Sequence, residues 1–251
     1  MPHATTTSNL PTILCLHGMG TSAAIFSAQT RNLRFALKSH FRFIFINAPF
    51  PSLPGPGVEP TYVDSGPFYS WFSEAMGSNP LSTAQEFCSL STYIKDAITK
   101  QDIQTSEIVS VMGFSQGTIV ASMLLFQAQY QNIQLGLARR NSQPSSSLQL
   151  PPSEWSALRF GILLSGSCND HIVTAFMGKK LQLPSVHLYG LQDPYMGNAK
   201  MLYEQIYHAP AADLVEFDGG HNIPGNKKDL DRLTARILRL NRRTKSKVAK
   251  W

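Results

Sequence analysis

The sequence predicts an α/β fold, with one mostly parallel central sheet flanked by helices on both faces. Three observations predict it. Six short apolar runs of strand length are distributed along the chain, and strands covered by helices on both faces read as such near-continuous apolar runs. The stretches between them place apolar residues at helical spacing. Strand and helix then alternate, which is the pattern of a parallel sheet wrapped by its own connections. A length of 251 residues suits a single large domain, and 43% hydrophobic residues supply its core. Charged residues are only 15%, so the fold is not built on charged surface helices.

In chain order, the expected strands are residues 12–16 (TILCL), 41–46 (FRFIFI), 108–112 (IVSVM), 160–164 (FGILL), 186–189 (VHLY) and 214–217 (LVEF). Ser22 is placed to cap a helix carrying Ile25, Phe26, Leu33 and Leu37. A second helix is expected around Leu90, Tyr93, Ile94, Ala97 and Ile98, and a third over 119–130, directly after a strand. A last helix over 230–240 puts Leu230, Leu233, Ile237, Leu238 and Leu240 on roughly one face.

Two segments interrupt this order. Residues 49–80 are rich in Pro and Gly and carry Tyr62, Phe68, Tyr69, Trp71 and Phe72. The segment is too long for a simple connector. Its aromatics either pack a loop onto the core or form a lid or pocket wall over a site, and the two readings are compatible. Residues 141–153 (NSQPSSSLQLPPS) have the composition of a flexible excursion. Outside a domain at 11–241, a disordered start at 1–10 and a basic C-terminal tail at 242–251 are expected.

That tail holds five cations and no acid, against a net charge of +6 for the chain. The body is therefore nearly neutral, which argues against a nucleic-acid binder. The tail reads as a frayed, solvated end, or as a weak contact for an anionic partner. The three cysteines, Cys15, Cys88 and Cys168, are odd in number and irregular in spacing. They make neither a disulfide framework nor a zinc site, and they suit a reducing compartment. No signal-peptide pattern and no apolar run of membrane-spanning length stands in the sequence. The expectation is a soluble cytoplasmic protein without membrane insertion.

The chemistry-bearing motif is Gly113-Phe114-Ser115-Gln116-Gly117. In G-x-S-x-G the serine sits on a sharp strand-to-helix turn that exposes its hydroxyl, and the small residues let strand and helix approach. Here an apolar strand precedes the motif and an apolar helix follows it, which is the required setting. A serine hydroxyl is a weak nucleophile until a base takes its proton, and the base is normally a histidine oriented by a carboxylate.

Only His171, His187, His208 and His221 follow Ser115. His187 lies inside an apolar strand and reads as a core histidine. His171 and His208 come before or without a suitable acid. His221 sits on a glycine-flanked loop, Asp218-Gly219-Gly220-His221, between the last strand and the last helix, so it is the expected base. For the acid, Asp193 after the VHLY strand is favoured, with Asp170 after FGILL as competitor. Asp218 reads as a loop stabiliser. Two backbone N–H donors are needed for the oxyanion. Gln116, next to the nucleophile, should supply one. Met19, in the His17-Gly18-Met19-Gly20 turn after the first strand, should supply the other, with His17 itself structural.

Taken together, the stretches ILCLHGMGTSAAIF, FINAPFP, YSWF, VMGFSQGTIVASML, FGILLSG, LYGLQDPYM and FDGGHNIP resemble the fungal FSH-type serine hydrolases, related to the ovarian-cancer-gene-2 hydrolases. They recur in the family's order over nearly the whole chain. The resemblance implies the α/β-hydrolase fold, no metal or other cofactor, and Ser115, Asp193 and His221 as a catalytic triad. It also implies an acyl ester or thioester substrate, with release of a polyketide or other acyl product from a carrier domain of a synthase as the leading role. The rival expectations are a general carboxylesterase on short or medium acyl esters, a non-hydrolytic cyclase or isomerase, and a binding module on the same fold. The excursion at 141–153 is longer than is usual in the family, and the loop after Pro49 varies there.

Overall fold

The computed structural model describes residues 10–73, 80–140, 154–176 and 178–248. The 141–153 excursion and the 1–9 start lie outside the described residues. Eight strands and seven α-helices follow in chain order: β1 (Thr12–Leu16), α1 (Ala23–Gln29), α2 (Arg31–Leu37), β2 (Arg42–Ile46), β3 (Phe50–Ser52), β4 (Phe68–Ser70), α3 (Pro80–Thr99), β5 (Ile108–Phe114), α4 (Gly117–Arg140), β6 (Phe160–Leu164), α5 (Asp170–Ala175), β7 (Ser185–Gly190), α6 (Met196–Met201), β8 (Ala212–Phe217) and α7 (Lys227–Val248). All six strands expected from apolar runs join one sheet, in the order β2-β1-β5-β6-β7-β8. Every pairing in it is parallel.

The period-two alternation of each strand sorts its side chains into two cores. Leu14 and Leu16 of β1 face α3 and α4, with Ile94, Ile98, Val120 and Leu124. Ile13 and Cys15 face the other side, with Phe26 of α1, Leu33 and Leu37 of α2, and Leu233, Ile237 and Leu240 of α7. The inner strands β1, β6 and β7 are buried along their whole length. The edge strands β2 and β8 expose Arg42 and Glu216 respectively, as a half-covered strand should. Each fully buried large apolar side chain contributes about 1.5–3 kcal/mol relative to exposure, so this double core is the main support of the sheet edge that carries the site.

Local chemistry explains where the helices depart from expectation. Ser22 caps α1 through the Ile25 N–H, but the expected single helix breaks at Thr30, whose hydroxyl donates to the Phe26 carbonyl at 2.7 Å. Thr30 takes φ −88°, ψ 4°, and α2 restarts after it. The last helix does not stop near 240. It runs to Val248 because Asn241 and Thr244 continue the buried stripe of Leu233, Ile237 and Leu240 with polar residues. The tail expected to begin at 242 is therefore helical as far as 248. Two short helices, α5 and α6, were not expected. Asn169 starts α5 by accepting from the Ile172 N–H at 3.0 Å.

Inside the 49–80 segment, β3 and β4 form a small antiparallel pair, Phe50 opposite Ser70 and Ser52 opposite Phe68. β4 also bridges Thr21 through Tyr69. This ties the segment to the turn after β1.

Candidate active site

The carboxyl ends of the parallel strands converge on one cavity of about 1250 Å3, lined by Ser115, His221, Met19 and Gln116 among others. This edge is where ligands bind in parallel α/β sheets.

Ser115 occupies the turn between β5 and α4 with φ 50°. That left-handed conformation is costly for a residue with a Cβ, and it is held by its surroundings. The Ser115 N–H donates to Leu164 O at 3.0 Å, and Ser115 O accepts from the Thr118 hydroxyl at 2.6 Å. The two glycines are required by close approach. A Cβ on Gly113 would stand 2.4 Å from Gly117 O, and one on Gly117 would stand 2.2 Å from Leu16 O. The motif thus packs the elbow against both its own helix and β1.

His221 comes off β8 on the loop read from the sequence. Gly190, at the end of β7, lets this loop pass, since a Cβ there would meet Gly219 O at 2.0 Å and Gly220 O at 2.5 Å. The His221 Nδ1 lies 2.8 Å from Asp193 Oδ2. The Asp193 side chain is 1% exposed, and its other oxygen accepts from the Tyr195 N–H at 2.7 Å. A carboxylate that deep needs such partners. Because it only accepts, the proton of a neutral His221 sits on Nδ1, and Nε2 presents a lone pair. The His221 ring packs between Phe114, next to the serine, and Tyr195, with both centroids 5.0 Å away. Among the described residues Ser115 and His221 share a cavity wall but no hydrogen bond. Such contacts are commonly long until substrate is present.

The competing residues fall elsewhere. Asp170 is exposed in the first turn of α5. Asp218 accepts from Gln192 Nε2 at 2.6 Å within the loop. His187 is buried against Ser185, Tyr203 and Tyr207, and burial lowers its pKa to about 3. His171 lines the cavity without a carboxylate partner among the described residues. His17 is buried as well. Its Nε2 accepts from the Ala48 N–H at 3.0 Å and its Nδ1 lies 2.7 Å from Gly18 O. Burial lowers its pKa to about 4. It is a neutral brace of the turn.

That turn carries Met19. Among the described residues, the backbone N–H groups of Met19 and Gln116 have no hydrogen-bond partner, and both residues face the cavity. The turn is held by Gly20, which donates to Tyr69 O at 2.9 Å and accepts from Gly55 N at 3.0 Å. The Gln116 side chain has a task the sequence did not reveal. Its Oε1 accepts from the Trp71 N–H at 2.9 Å, and its Nε2 donates to the Ser70 hydroxyl at 3.2 Å. It fastens the elbow to the aromatic segment.

The expected aromatic wall needs correction. Of the five aromatics, only Phe72 lines the cavity. Trp71 is fully buried, with its Nε1–H donating to His17 O at 2.7 Å. Tyr69 packs against the core as the bridge to Thr21. Phe68 lies in β4 opposite Ser52, and Tyr62 sits in a turn begun at Val58. The wall comes instead from Phe50, Pro51, Leu53 and Pro56 with Ile119, Ile172 and Tyr195. Nothing in an irregular segment has the periodicity that would have singled out its inward residues.

The three cysteines are free thiols. Among the described residues, no cluster of His, Cys, Asp and Glu could hold a metal ion, and no helix is long and apolar enough to cross a membrane.

Comparison with known proteins identifies the fold and the family. Among solved structures, the esterase PE8 superposes with a TM-score of 0.55 at 19% identity, covering 92% of each chain. A carboxylesterase from Mesorhizobium loti superposes with a TM-score of 0.54 at 14% identity, covering 92% of this chain and 89% of that one. These likenesses, with the parallel sheet and its helices, establish the α/β-hydrolase fold. Among sequence relatives, "Probable esterase tazC" of Aspergillus terreus is 36% identical over 94% of each chain. "Thioesterase FSL2" of Gibberella zeae is 36% identical over 91% of this chain and 92% of its own. A dihydromonacolin L-[lovastatin nonaketide synthase] thioesterase of Aspergillus terreus is 30% identical over 91% of each. The family profile described as "Serine hydrolase (FSH1)" matches residues 7–233, and the chain is a serine hydrolase belonging to that family.

Proposed function

We propose that the protein hydrolyses an acyl thioester or ester through Ser115, His221 and Asp193, and that it releases a polyketide or related acyl product from a carrier domain. The observation that carries the reading is the buried Asp193 paired with His221 at 2.8 Å, on the cavity whose wall holds the half-buried Ser115 at positive φ. In this scheme Ser115 Oγ attacks the carbonyl carbon while His221 Nε2 takes its proton. Asp193 keeps Nδ1 protonated and stabilises the imidazolium. The N–H groups of Met19 and Gln116, unengaged within the chain, receive the developing oxyanion. His221 returns the proton to the departing thiol or alcohol, then activates water to cleave the acyl-enzyme.

The thioester reading draws on the relatives named as thioesterases, and a cavity of about 1250 Å3 suits an acyl group well beyond acetyl. The relatives named as esterases favour a second reading, a carboxylesterase indifferent to a carrier. A reducing, cytoplasmic setting accords with the three free thiols. The test compares one acyl chain presented on a carrier domain and as a p-nitrophenyl ester. A kcat/KM at least tenfold higher on the carrier is expected; equal rates would favour the carboxylesterase.

A further inference from the structure

Ser115 follows β5, inside the sheet order β2-β1-β5-β6-β7-β8, so the loops at this edge fall on two sides of it. On the β1–β2 side the cavity wall is mainly apolar, built by Phe50, Pro51, Leu53 and Pro56, with Leu53 84% exposed, and the hydroxyls of Thr21, Ser52, Ser70 and Ser73 that also line it are each engaged within the chain. On the β6–β7 side Ser167, Asn169, His171 and Asn198 stand in the wall beside Ile172 and Tyr195. These polar groups stand open to the cavity. Among the described residues, the Ser167 hydroxyl, the His171 ring and the Asn198 amide make no hydrogen bond to protein. Asn169 uses only its Oδ1, to cap α5, which leaves Nδ2 available.

The direction of proton transfer assigns the two sides. His221 enters the cavity from the β8 side and packs on Tyr195 of the β7 loop. In the proposed scheme it protonates the departing atom, which puts that atom on the polar side. The carbonyl oxygen turns the other way, toward the N–H of Met19 in the β1 turn. During acylation the Oγ–C bond forms and the C–S bond breaks. Sulfur leaves with the bonding pair and receives, through His221, the proton that Oγ lost.

We propose that Ser167, Asn169, His171 and Asn198 form a leaving-group subsite for a thiol or alcohol bearing amide groups, and that the apolar side takes the acyl chain. The assignment rests on the hydrolase reading of the same cavity. Histidine and asparagine each offer a donor and an acceptor, which matches the paired N–H and C=O of an amide. A plain alkyl leaving group would desolvate them without return, and sites built to hydrogen-bond discriminate on that basis.

The test measures kcat/KM for two thioesters of hexanoic acid, one with pantetheine and one with 1-butanethiol. The wild type is set beside Asn198→Leu and His171→Leu. Both side chains are exposed, so folding is not at stake. The wild type is expected to prefer the pantetheine thioester, and each variant to reduce that preference roughly fivefold. Equal losses on both thioesters, or no preference in the wild type, would overturn the subsite. Hydrolysis of p-nitrophenyl hexanoate by the wild type keeps the two levels apart. Its absence sinks the hydrolase reading and the subsite together, while normal turnover with an unchanged thiol preference sinks the subsite alone.

Discussion

Two regions border the same cavity and are built on opposite terms. At the ends of β7 and β8, position is set by backbone meeting backbone. Gly190 lets the Gly219–Gly220 peptide pass close above it, Asp193 is fixed by the Tyr195 N–H, and His221 follows from both. In the segment 49–73, side-chain anchors to distant elements join the backbone contacts: the Trp71 ring donates to His17 O and the Gln116 side chain holds Ser70 and Trp71, while Tyr69 bridges Thr21 and Gly55 meets Gly20 through the backbone. The first region tolerates almost no change in backbone volume. The second is equally tight at Gly55, where a Cβ would stand 2.1 Å from Met19 O, but elsewhere it can trade individual aromatics as long as its anchors hold. The proposed chemistry, which needs sub-ångström placement, draws on the first, and much of the apolar cavity wall comes from the second.

The largest effect should come from the first region. Asp193→Asn keeps the shape but offers a donor to His221 Nδ1, which favours the wrong tautomer. A fall in kcat of about 10⁴-fold is expected, with the fold intact by circular dichroism. A smaller loss, about 10²-fold, is expected for Gly190→Ala, because a Cβ 2.0 Å from Gly219 O must displace the histidine loop. Gly57→Ala in the other region is its control. That residue also has positive φ, +78°, but open space around it, so only a stability cost of about 1 kcal/mol should appear in denaturant titration.

These contrasts explain what was legible in the sequence. The turn at Ser115 and the pairing of Asp193 with His221 were legible from motif, chain order and strand ends, because glycine spacing and strand boundaries are written locally. The six sheet strands were legible for the same reason: a strand covered on both faces leaves a continuous apolar run. The wall was not. An aromatic in an irregular segment announces that it will be buried, but not against what, so Tyr62, Phe68, Tyr69 and Trp71 were assigned to the cavity with Phe72. The side-chain role of Gln116 was equally hidden, since its partners lie some 45 residues away in sequence. The extension of α7 was hidden because Asn241 and Thr244 continue a buried stripe in polar residues.

The corrected wall is itself testable. Phe72→Ala should raise KM for a long acyl ester about tenfold, since Phe72 borders the cavity. Tyr62→Ala should leave KM within about twofold. The reverse pattern would restore the aromatic wall as first read.

The smallest expected effect concerns the histidines outside the site. His17 and His187 are buried neutral, with pKa values lowered from 6.5 to about 4 and about 3. The unfolded chain binds protons at these positions below pH 6.5 while the folded chain does not. Their contribution is fully present above pH 6.5 and is lost progressively as pH falls toward the folded values. The urea midpoint should drop over that window, and His187→Gln should flatten the slope.

The central claim is that Ser115 is an activated nucleophile served by His221. Labelling the purified protein with a fluorophosphonate and mapping the adduct by mass spectrometry tests it most directly. The account predicts one adduct, on Ser115, that is lost in His221→Ala. A folded, monodisperse protein that takes up no label, or takes it up at another residue, would contradict it.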